Sequence, residues 1–190
     1  MDTNLHNLRS RLEQRMHARE IDTIASLAHE NGNEGLREDI CRMATDENDR
    51  VAYNALWCLS HMPQSDAKWL RTKHNGMIDR LLACRNTSHR RLLLTLLERT
   101  FDPKAPLRTD FLDYCLDTIN STQPYAQRAL CMKLAYAQCR AIPELLSELR
   151  EVLELTAYGH SSPGILSARR NILRKMDRHA RNAAPPDSHT

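Results

Sequence analysis

The sequence predicts an all-α protein built from stacked helix pairs, and three observations support this prediction. The chain of 190 residues contains only 5 Gly and 2 Phe, a composition that favours helix over sheet. No apolar run approaches the ~18 residues that are needed to span a bilayer. A similar helix motif recurs at intervals of about forty residues, a period that is typical of helix-pair arrays.

The recurring motif begins with a cluster of Ser, Thr, Asn, Asp or Pro and continues as a Leu- and Ala-rich helix. Its four copies read DENDRVAYNALWCLSHM from Asp46, NTSHRRLLLTLLERT from Asn86, STQPYAQRALCMKLAY from Ser121 and SSPGILSARRNILRKM from Ser161. Aligning Leu56, Leu93, Leu130 and Ile172 in one row gives steps of 37, 37 and 42 residues. The rows one and four positions earlier are mostly small or apolar, which predicts that this face forms the packed seam.

Apolar spacing and helix-start residues predict the individual helices. Three short N-terminal segments cover 3–19, 20–30 and 34–44. The later helices are expected at 47–62, from Ser65 onward with Asn75-Gly76 as a candidate interruption, and at 88–100, 106–120, 121–138, 143–156 and 163–178. We therefore expect one domain over 1–181, with an N-terminal cap at 1–32 and repeats at 33–181. Residues 182–190 are expected to form a disordered tail.

The stretch DRVAYNAL, from Asp49 to Leu56, carries a resemblance to a known family. Val51 and Ala55-Leu56 match the Val-Arg-x-x-Ala pattern of the second helix in HEAT and armadillo-type α-solenoids, although Ala52 stands where Arg is usual. The resemblance covers residues 33–180, or about four repeats. It implies a right-handed α-α superhelix of HEAT-like pairs, with the second helices on the concave surface and a binding role rather than a catalytic one.

The same alignment predicts an arginine-rich outward face. The row two positions before Leu56 reads Asn54, Arg91, Arg128 and Arg170, and the row two positions after it reads Cys58, Thr95, Met132 and Arg174. Together with the resemblance, this predicts a concave groove lined by Arg91, Arg128, Arg170 and Arg174, with Tyr125 nearby. Arginine forks bind carboxylates and phosphates, so we expect an acidic protein or peptide partner, with nucleic acid as the alternative. The alternative without a binding function is a solvent-exposed face whose arginines pair with neighbouring acidic residues.

Charge is also patterned on other helices. Carboxylates recur on one face of two predicted first helices, at Asp110, Asp113 and Asp117 and at Glu144, Glu148 and Glu151. Such carboxylates on a single helix rarely complete a cation site alone, so we expect acidic surfaces. Residues 165–181 carry six Arg and Lys against one Asp. This basic segment could contact phosphate, or it could provide the polar outer face that a terminal repeat requires.

The sequence gives no pattern for a metal, a cofactor or a catalytic centre. The six cysteines form no CxxC pair and have no short Cys/His spacing, and most sit at helical spacing among apolar residues, as structural thiols do. The nine histidines form no HExxH or other recognisable constellation. We expect neither a metal nor a cofactor.

One enzymatic alternative comes from the resemblance. The HEAT-like alkylpurine DNA glycosylases use a short solenoid with concave Trp, Asp and Arg residues, and this chain has Tyr53, Trp57 and Trp69. No segment matches the catalytic stretch of those enzymes, so no catalytic residue is assigned. We predict a non-catalytic binding or scaffold module. The N-terminus lacks an apolar signal region, and with the unpaired cysteines this predicts a cytoplasmic protein that does not insert into membranes.

Overall fold

The computed structural model describes residues 2–30, 32–155 and 162–183. Regular structure in these ranges is helical, without a strand, which confirms the all-α prediction. The chain divides into two compact units, residues 1–100 and 101–190, and each is described separately. The prediction of one domain over 1–181 stays a prediction. Of the predicted tail, residues 182–183 belong to the last helix and residues 184–190 lie outside the described residues.

The first unit is organised around one central helix. Its elements are α1 (Asp2–Leu12), α2 (Ala18–His29), α3 (Glu34–Met43), α4 (Asp49–His61), a 3₁₀ turn (Gln64–Asp66), α5 (Ala67–Arg71), α6 (His74–Ala83) and α7 (Thr87–Thr100). Helix α4 packs against α1, α2, α3 and α7, while α5 and α6 pack on α7. Helices α3–α4 and α6–α7 are therefore the two repeat pairs of this unit.

The N-terminal helix is shorter than the predicted segment 3–19. The buried Asn54 side chain donates its amide hydrogens to the carbonyl oxygens of Leu12, at 2.7 Å, and Gln14, at 3.1 Å. A continuing helix would need the Leu12 carbonyl for its own hydrogen bond. A new helix then starts after His17, whose backbone N–H donates to the Glu20 carboxylate at 2.9 Å, as in a capping box.

The break in the second pair also differs from the prediction. Helix α5 ends at Arg71, and α6 begins at His74, so that Asn75 and Gly76 lie inside a helix. The Thr72 and Lys73 amides donate to the carbonyls of Trp69 and Leu70 at 2.9 and 3.0 Å. These three-residue hydrogen bonds are of the 3₁₀ type and end the α-helical ladder. Gly76 has an ordinary helical conformation, and the predicted interruption is wrong.

The second unit contains two further helix pairs. They are α8 (Thr109–Ile119) with α9 (Tyr125–Cys139), and α10 (Pro143–Leu155) with α11 (Pro163–Ala183). Helix α9 packs against α8, α10 and α11, and α10 also packs against α8 and α11. The core of this unit includes the fully buried Phe111, Cys115, Leu134 and Leu149.

The second helices of the four pairs start at equal intervals, with a repeat period of about 38 residues that is typical of helix-pair arrays. These helices, α4, α7, α9 and α11, begin at Asp49, Thr87, Tyr125 and Pro163. Burial follows the same period: Val51, His89, Gln127 and Ile165 are all buried, as are Cys58, Leu96, Leu134 and Ile172. The equal intervals confirm the repeat and show that the unequal steps of the predicted alignment are wrong.

This correction changes which side chains face outward. Each residue turns an α-helix by about 100°, so an alignment error of one residue moves a side chain to another face. Met132 was predicted to point outward but is buried, while Leu130 of the predicted seam is only half-buried. Asn54 and Cys58, in the copy that set the alignment, are buried for another reason: α4 packs against four other helices, so the residues two positions from Leu56 are covered as well. In α4 the outward positions are instead Tyr53, Trp57 and His61. In the other second helices they are the residues that follow each of these three by one, two or three repeat periods.

Several arginines bond carbonyl groups at the ends of neighbouring helices. Arg90 and Arg128, which are one repeat period apart, donate their Nε–H to the carbonyls of Cys84 and Ile119 at 2.7 and 2.8 Å. These carbonyls lie at the C-terminal ends of α6 and α8, where backbone acceptors lack helical partners. Arg169 makes the corresponding bond to Leu153 in α10, one turn later in its helix. Each arginine therefore ties a second helix to the first helix of its own pair.

A buried ion pair joins the helices of the first unit. Asp66 is only 4 % exposed, and its carboxylate accepts hydrogen bonds from Arg37 of α3 and from His29 of α2, each at 3.0 Å. The Arg37 side chain is largely buried as well. Removing one member of such a pair leaves the other charge without compensation, which is strongly destabilising.

We predict that Asp66→Asn lowers the free energy of unfolding by about 2–4 kcal/mol, because the Arg37 guanidinium loses its counter-charge in a buried setting. Asp39→Asn is the matched control, since Asp39 pairs with the exposed Arg42 and such pairs contribute under about 1 kcal/mol. Urea denaturation followed by circular dichroism measures both. Equal losses in the two variants would contradict the structural role of Asp66.

Substitutions of Arg128 and Arg91, which occupy different positions of the repeat, test the repeat register. We predict that Arg128→Gln lowers the free energy of unfolding by about 1–2 kcal/mol, because the Ile119 carbonyl loses its charged donor. Arg91→Gln should change it by less than about 0.5 kcal/mol, because Arg91 is exposed on α7. The same denaturation assay compares them. If both variants were equally stable, Arg128 would not be the helix tie that its geometry indicates.

Candidate binding groove

A basic groove lies between α9 and α11 in the second unit. It encloses about 480 Å³ and is lined by Ala129, Lys133, Ala168, Asn171, Ile172, Arg174, Lys175 and Arg178. Half of these eight residues are basic, and the lining contains no carboxylate. Alanine and isoleucine side chains provide an apolar floor beneath the cationic groups. The groove can therefore bind an anionic ligand that also has an apolar part.

The repeat register explains why these residues line the groove. Ala129 and Lys133 follow Tyr125 at steps of four residues, so the three side chains share one face of α9. In α11, Asn171 and Lys175 occupy the positions one repeat period after Lys133 and Ala137. Helices α9 and α11 bury residues at equivalent positions, Gln127 and Leu134 in α9 and Ile165 and Ile172 in α11. Their outward positions are therefore also equivalent, and residues at these positions in both helices line the groove.

An aromatic ring and small residues lie near the N-terminal ends of α9 and α11. The Tyr125 ring lies against Gly164 at the start of α11, so close that a Cβ added to the glycine would be 3.5 Å from two ring carbons. Tyr125 is nonetheless 61 % exposed. Ala129 and Ala168 line the groove about one turn further along α9 and α11. An exposed aromatic ring therefore stands at one end of the groove and the basic cluster at the other.

Local hydrogen bonds join residues of α11 to one another and to α9. Arg178 donates its Nε–H to the Arg174 carbonyl, and the Tyr136 hydroxyl donates to the Lys175 carbonyl, both at 3.4 Å. Asp177, the acidic residue of this segment, accepts a hydrogen bond from Arg150 of α10 at 2.6 Å. Asp177 does not line the groove, because its carboxylate pairs with Arg150 of α10 instead.

The structure distributes the predicted binding residues among different environments. Arg174 lines the groove, and Tyr125 stands at its end. Arg170 is exposed on α11 one turn before Arg174 but does not line the groove. Arg128 is half-buried and bonded to Ile119, and Arg91 is exposed in the first unit. The binding role of each residue stays a prediction, but the four arginines do not share one row of the repeat.

The groove contains one basic residue, Lys133, that the sequence did not single out. Lys175 and Arg178 also line it, and both belong to the basic segment 165–181, for which phosphate contact is one of the two expected roles. The constant repeat period would have identified Lys133, because this residue follows Trp57 and Thr95 at equal intervals. Lys175 occupies the position equivalent to His61 by the same count.

The equivalent outward face of the first unit has aromatic character. Tyr53, Trp57 and His61 follow one another at steps of four residues along α4, with ring centroids 5.9 Å apart in each neighbouring pair. The Trp57 indole N–H donates to His61 Nε2 at 2.9 Å, and His61 Nδ1 donates to Asp22 Oδ1 at 2.6 Å. His89 stacks on Tyr53. The polar atoms of Trp57 and His61 are therefore already engaged in hydrogen bonds.

Trp69 is also engaged within the first unit. Its indole N–H donates to Glu38 at 3.0 Å, and the Arg37 and Lys73 cations lie 5.5 and 5.6 Å from the ring. The Lys73 ammonium donates to the same Glu38 carboxylate at 2.8 Å, which lowers the pKa of Glu38. Trp57 and Trp69 therefore contact different sets of residues.

The predicted acidic surfaces are exposed. Asp110, Asp113 and Asp117 of α8 are exposed, and so are Glu144, Glu148 and Glu151 of α10. Arg108 bonds the Asp110 carboxylate at 2.7 Å and lowers its pKa. Within residues 2–30, 32–155 and 162–183, no three His, Cys, Asp or Glu side chains are grouped as a metal site requires.

The cysteines are free and largely buried. Burial raises the pKa of Cys58 to about 12 and that of Cys139 to about 11. Cys115 has a strongly raised pKa because it is buried and lies beside Cys131. These thiols stay protonated at neutral pH and therefore lack the nucleophilic thiolate form. This supports the prediction that they are structural.

Comparisons with known proteins agree with this architecture. In the described part of the chain, no helix combines the length and the apolar character needed to cross a membrane. The chain gave no significant match to curated proteins or to solved structures. The family model for the HEAT repeat domain matches residues 8–176, a range that reaches into both units and all four helix pairs. The protein therefore belongs to the HEAT repeat family.

Proposed function

We propose that this HEAT repeat protein is a non-catalytic binding module that holds a short acidic segment of a protein partner in the groove between α9 and α11. Proteins built from such repeats generally act as scaffolds, because their exposed helix faces form extended binding surfaces. The observation that carries the proposal is the groove itself, with four basic side chains over an apolar floor and no carboxylate in its lining.

The size of the groove favours a peptide. From Ala168 to Arg178 the α11 wall is about 15 Å long, because a helix rises about 1.5 Å per residue. An extended peptide covers this distance with about four or five residues. Carboxylates of the peptide would pair with Arg174 and Arg178, while an apolar side chain would contact Ala129 and the Tyr125 ring.

The distribution of charge argues against a long polyanion. The net charge of the chain is only +3. In the second unit, α8 and α10 carry the exposed carboxylates described above, which would repel nucleic-acid phosphates. A short acidic peptide can neutralise the groove without extending over these surfaces. The free cysteines suit a reducing compartment, and we place the module in the cytoplasm.

We predict that peptides selected on the immobilised protein from a random library are rich in Asp and Glu beside an apolar residue. The double variant Arg174→Gln/Arg178→Gln should bind a selected peptide at least about tenfold more weakly, because two charge-assisted contacts are lost. Fluorescence anisotropy of the labelled peptide measures this affinity. Higher salt should weaken binding by the native protein more than binding by the variant.

The control is Arg50→Gln/Arg71→Gln, which removes the same total charge from exposed positions in the first unit. It should bind the peptide as the native protein does. Equal weakening in both double variants would show a general charge effect and contradict the groove assignment. If a single-stranded oligonucleotide binds more tightly than every selected peptide and its affinity falls steeply with salt, the partner is nucleic acid instead.

A further inference from the structure

The first unit contains an arginine whose charge has no ionic partner among the described residues. Arg80 lies on α6 and is half-buried, and its Nε–H is buried without a hydrogen-bond acceptor. Burial lowers the pKa of this guanidinium. Charged groups that are removed from water are usually paired or fully hydrogen-bonded, because the loss of hydration costs several kcal/mol. Arg80 departs from this rule.

Arg80 lines a cavity of about 390 Å³ that is separate from the groove of the second unit. The wall also includes Arg85, Asn86, Cys84 and His89. Arg85 is exposed and Arg80 is half-buried. The cavity is therefore lined by one partly desolvated guanidinium and one solvated guanidinium. The volume is within the range of small-molecule sites.

The cations of this cavity are the two arginines. His89 is buried, which lowers its pKa, and its Nε2–H donates to the Asp49 carbonyl at 3.1 Å. The backbone amides of Ser88 and His89 at the start of α7 already donate to the Asn86 side chain, at 2.9 and 3.2 Å. The donors left for a ligand are therefore the guanidinium groups.

One carboxylate also reaches the cavity. Asp49 lies in the first turn of α4, and its Oδ2 accepts from the Asn86 amide at 3.5 Å. The carboxylate favours the charged form of Arg80, but the two side chains form no ion pair. Its free lone pairs can accept a hydrogen bond from a ligand. The cavity thus offers two anion-binding groups and one acceptor to the same small molecule.

We propose that this cavity binds a small phosphate monoester that also carries an amino or hydroxyl group. Its phosphate would be held by Arg80 and Arg85, whose planar guanidinium groups suit phosphate oxygens. Its donor group would bond the Asp49 carboxylate. Binding would give Arg80 a direct ion pair, which it does not form among the described residues. This site does not depend on the proposed peptide groove.

Calorimetric titration and thermal unfolding test the site with two probes, inorganic phosphate and O-phosphoethanolamine, at constant ionic strength. The native protein should bind O-phosphoethanolamine and unfold at a higher temperature in its presence. Arg80→Met should weaken binding by about tenfold or more. Without ligand this variant should unfold at the same or a higher temperature than the native protein, because a half-buried charge has been removed.

Arg71→Gln is the control, because Arg71 is exposed on α5 and does not line the cavity. It should keep the native affinity. Tighter binding of O-phosphoethanolamine than of phosphate supports the monoester, whereas equal affinities would restrict the site to the phosphate group alone and overturn the role of Asp49. Absence of binding, retention of binding in Arg80→Met, or equal loss in Arg71→Gln would overturn the site. So would a lower unfolding temperature of ligand-free Arg80→Met, because Arg80 would then have a structural function.

Discussion

The burial of one stripe on every second helix, at positions that recur with the repeat period, constrains the rest of the structure. A helix turns by about 100° per residue, so fixing two inward positions also fixes the outward ones. In α9, burial of Gln127 and Leu134 directs Ala129 and Lys133 to the opposite side. The same seam in α11 directs Asn171 and Lys175 toward the groove. The groove is therefore a consequence of the packing, and its chemistry depends on which residues occupy positions that packing leaves open.

Besides those in ion pairs, the arginines of the described residues include three physically different kinds. Arg99 bonds the carbonyls of Ser60 and Met62 at the end of α4, and Arg128 bonds a carbonyl at the end of α8. In these cases the guanidinium replaces the backbone donors that a helix C-terminus lacks. Arg174 instead lines an open groove. Arg80 is half-buried, forms no ion pair among the described residues and lines an open cavity, and this combination marks the place where we propose a ligand.

Local signals in the sequence were sufficient to predict most helices. Asn48 and Asn86 accept hydrogen bonds from the first backbone amides of α4 and α7, and Pro143 and Pro163 are the first residues of α10 and α11. These residues act within one turn, so their effect is visible in a short window. The end of α1 could not be predicted in this way. It depends on Asn54, a residue 42 positions after Leu12.

The candidate site was harder to predict, because its residues depend on an accurate register. In α9 the apolar side chains are not confined to one stripe, since Leu130 and its neighbours Cys131 and Met132 are all apolar. Leu130 resembles the seam leucine of the other copies, yet it is half-buried while Met132 is fully buried. Choosing Leu130 placed Arg128, two positions before it, on the predicted groove face, whereas the residue of α9 that is exposed and lines the groove is Lys133. Burial, which identifies the correct stripe, is a property of the packed helices.

Equivalent repeat positions carry different chemistry in the two units, and this difference favours the second unit as the place where an acidic peptide binds. On α4 these positions hold Tyr53, Trp57 and His61, and the ring nitrogens of Trp57 and His61 form a hydrogen-bonded chain that ends on Asp22. A ligand would have to break these hydrogen bonds before it made new ones. Between α9 and α11 the same kind of face holds small and basic residues, with no carboxylate in the lining. An acidic ligand there gains charge-assisted contacts and meets no carboxylate in the lining, so more of its interaction energy remains as affinity.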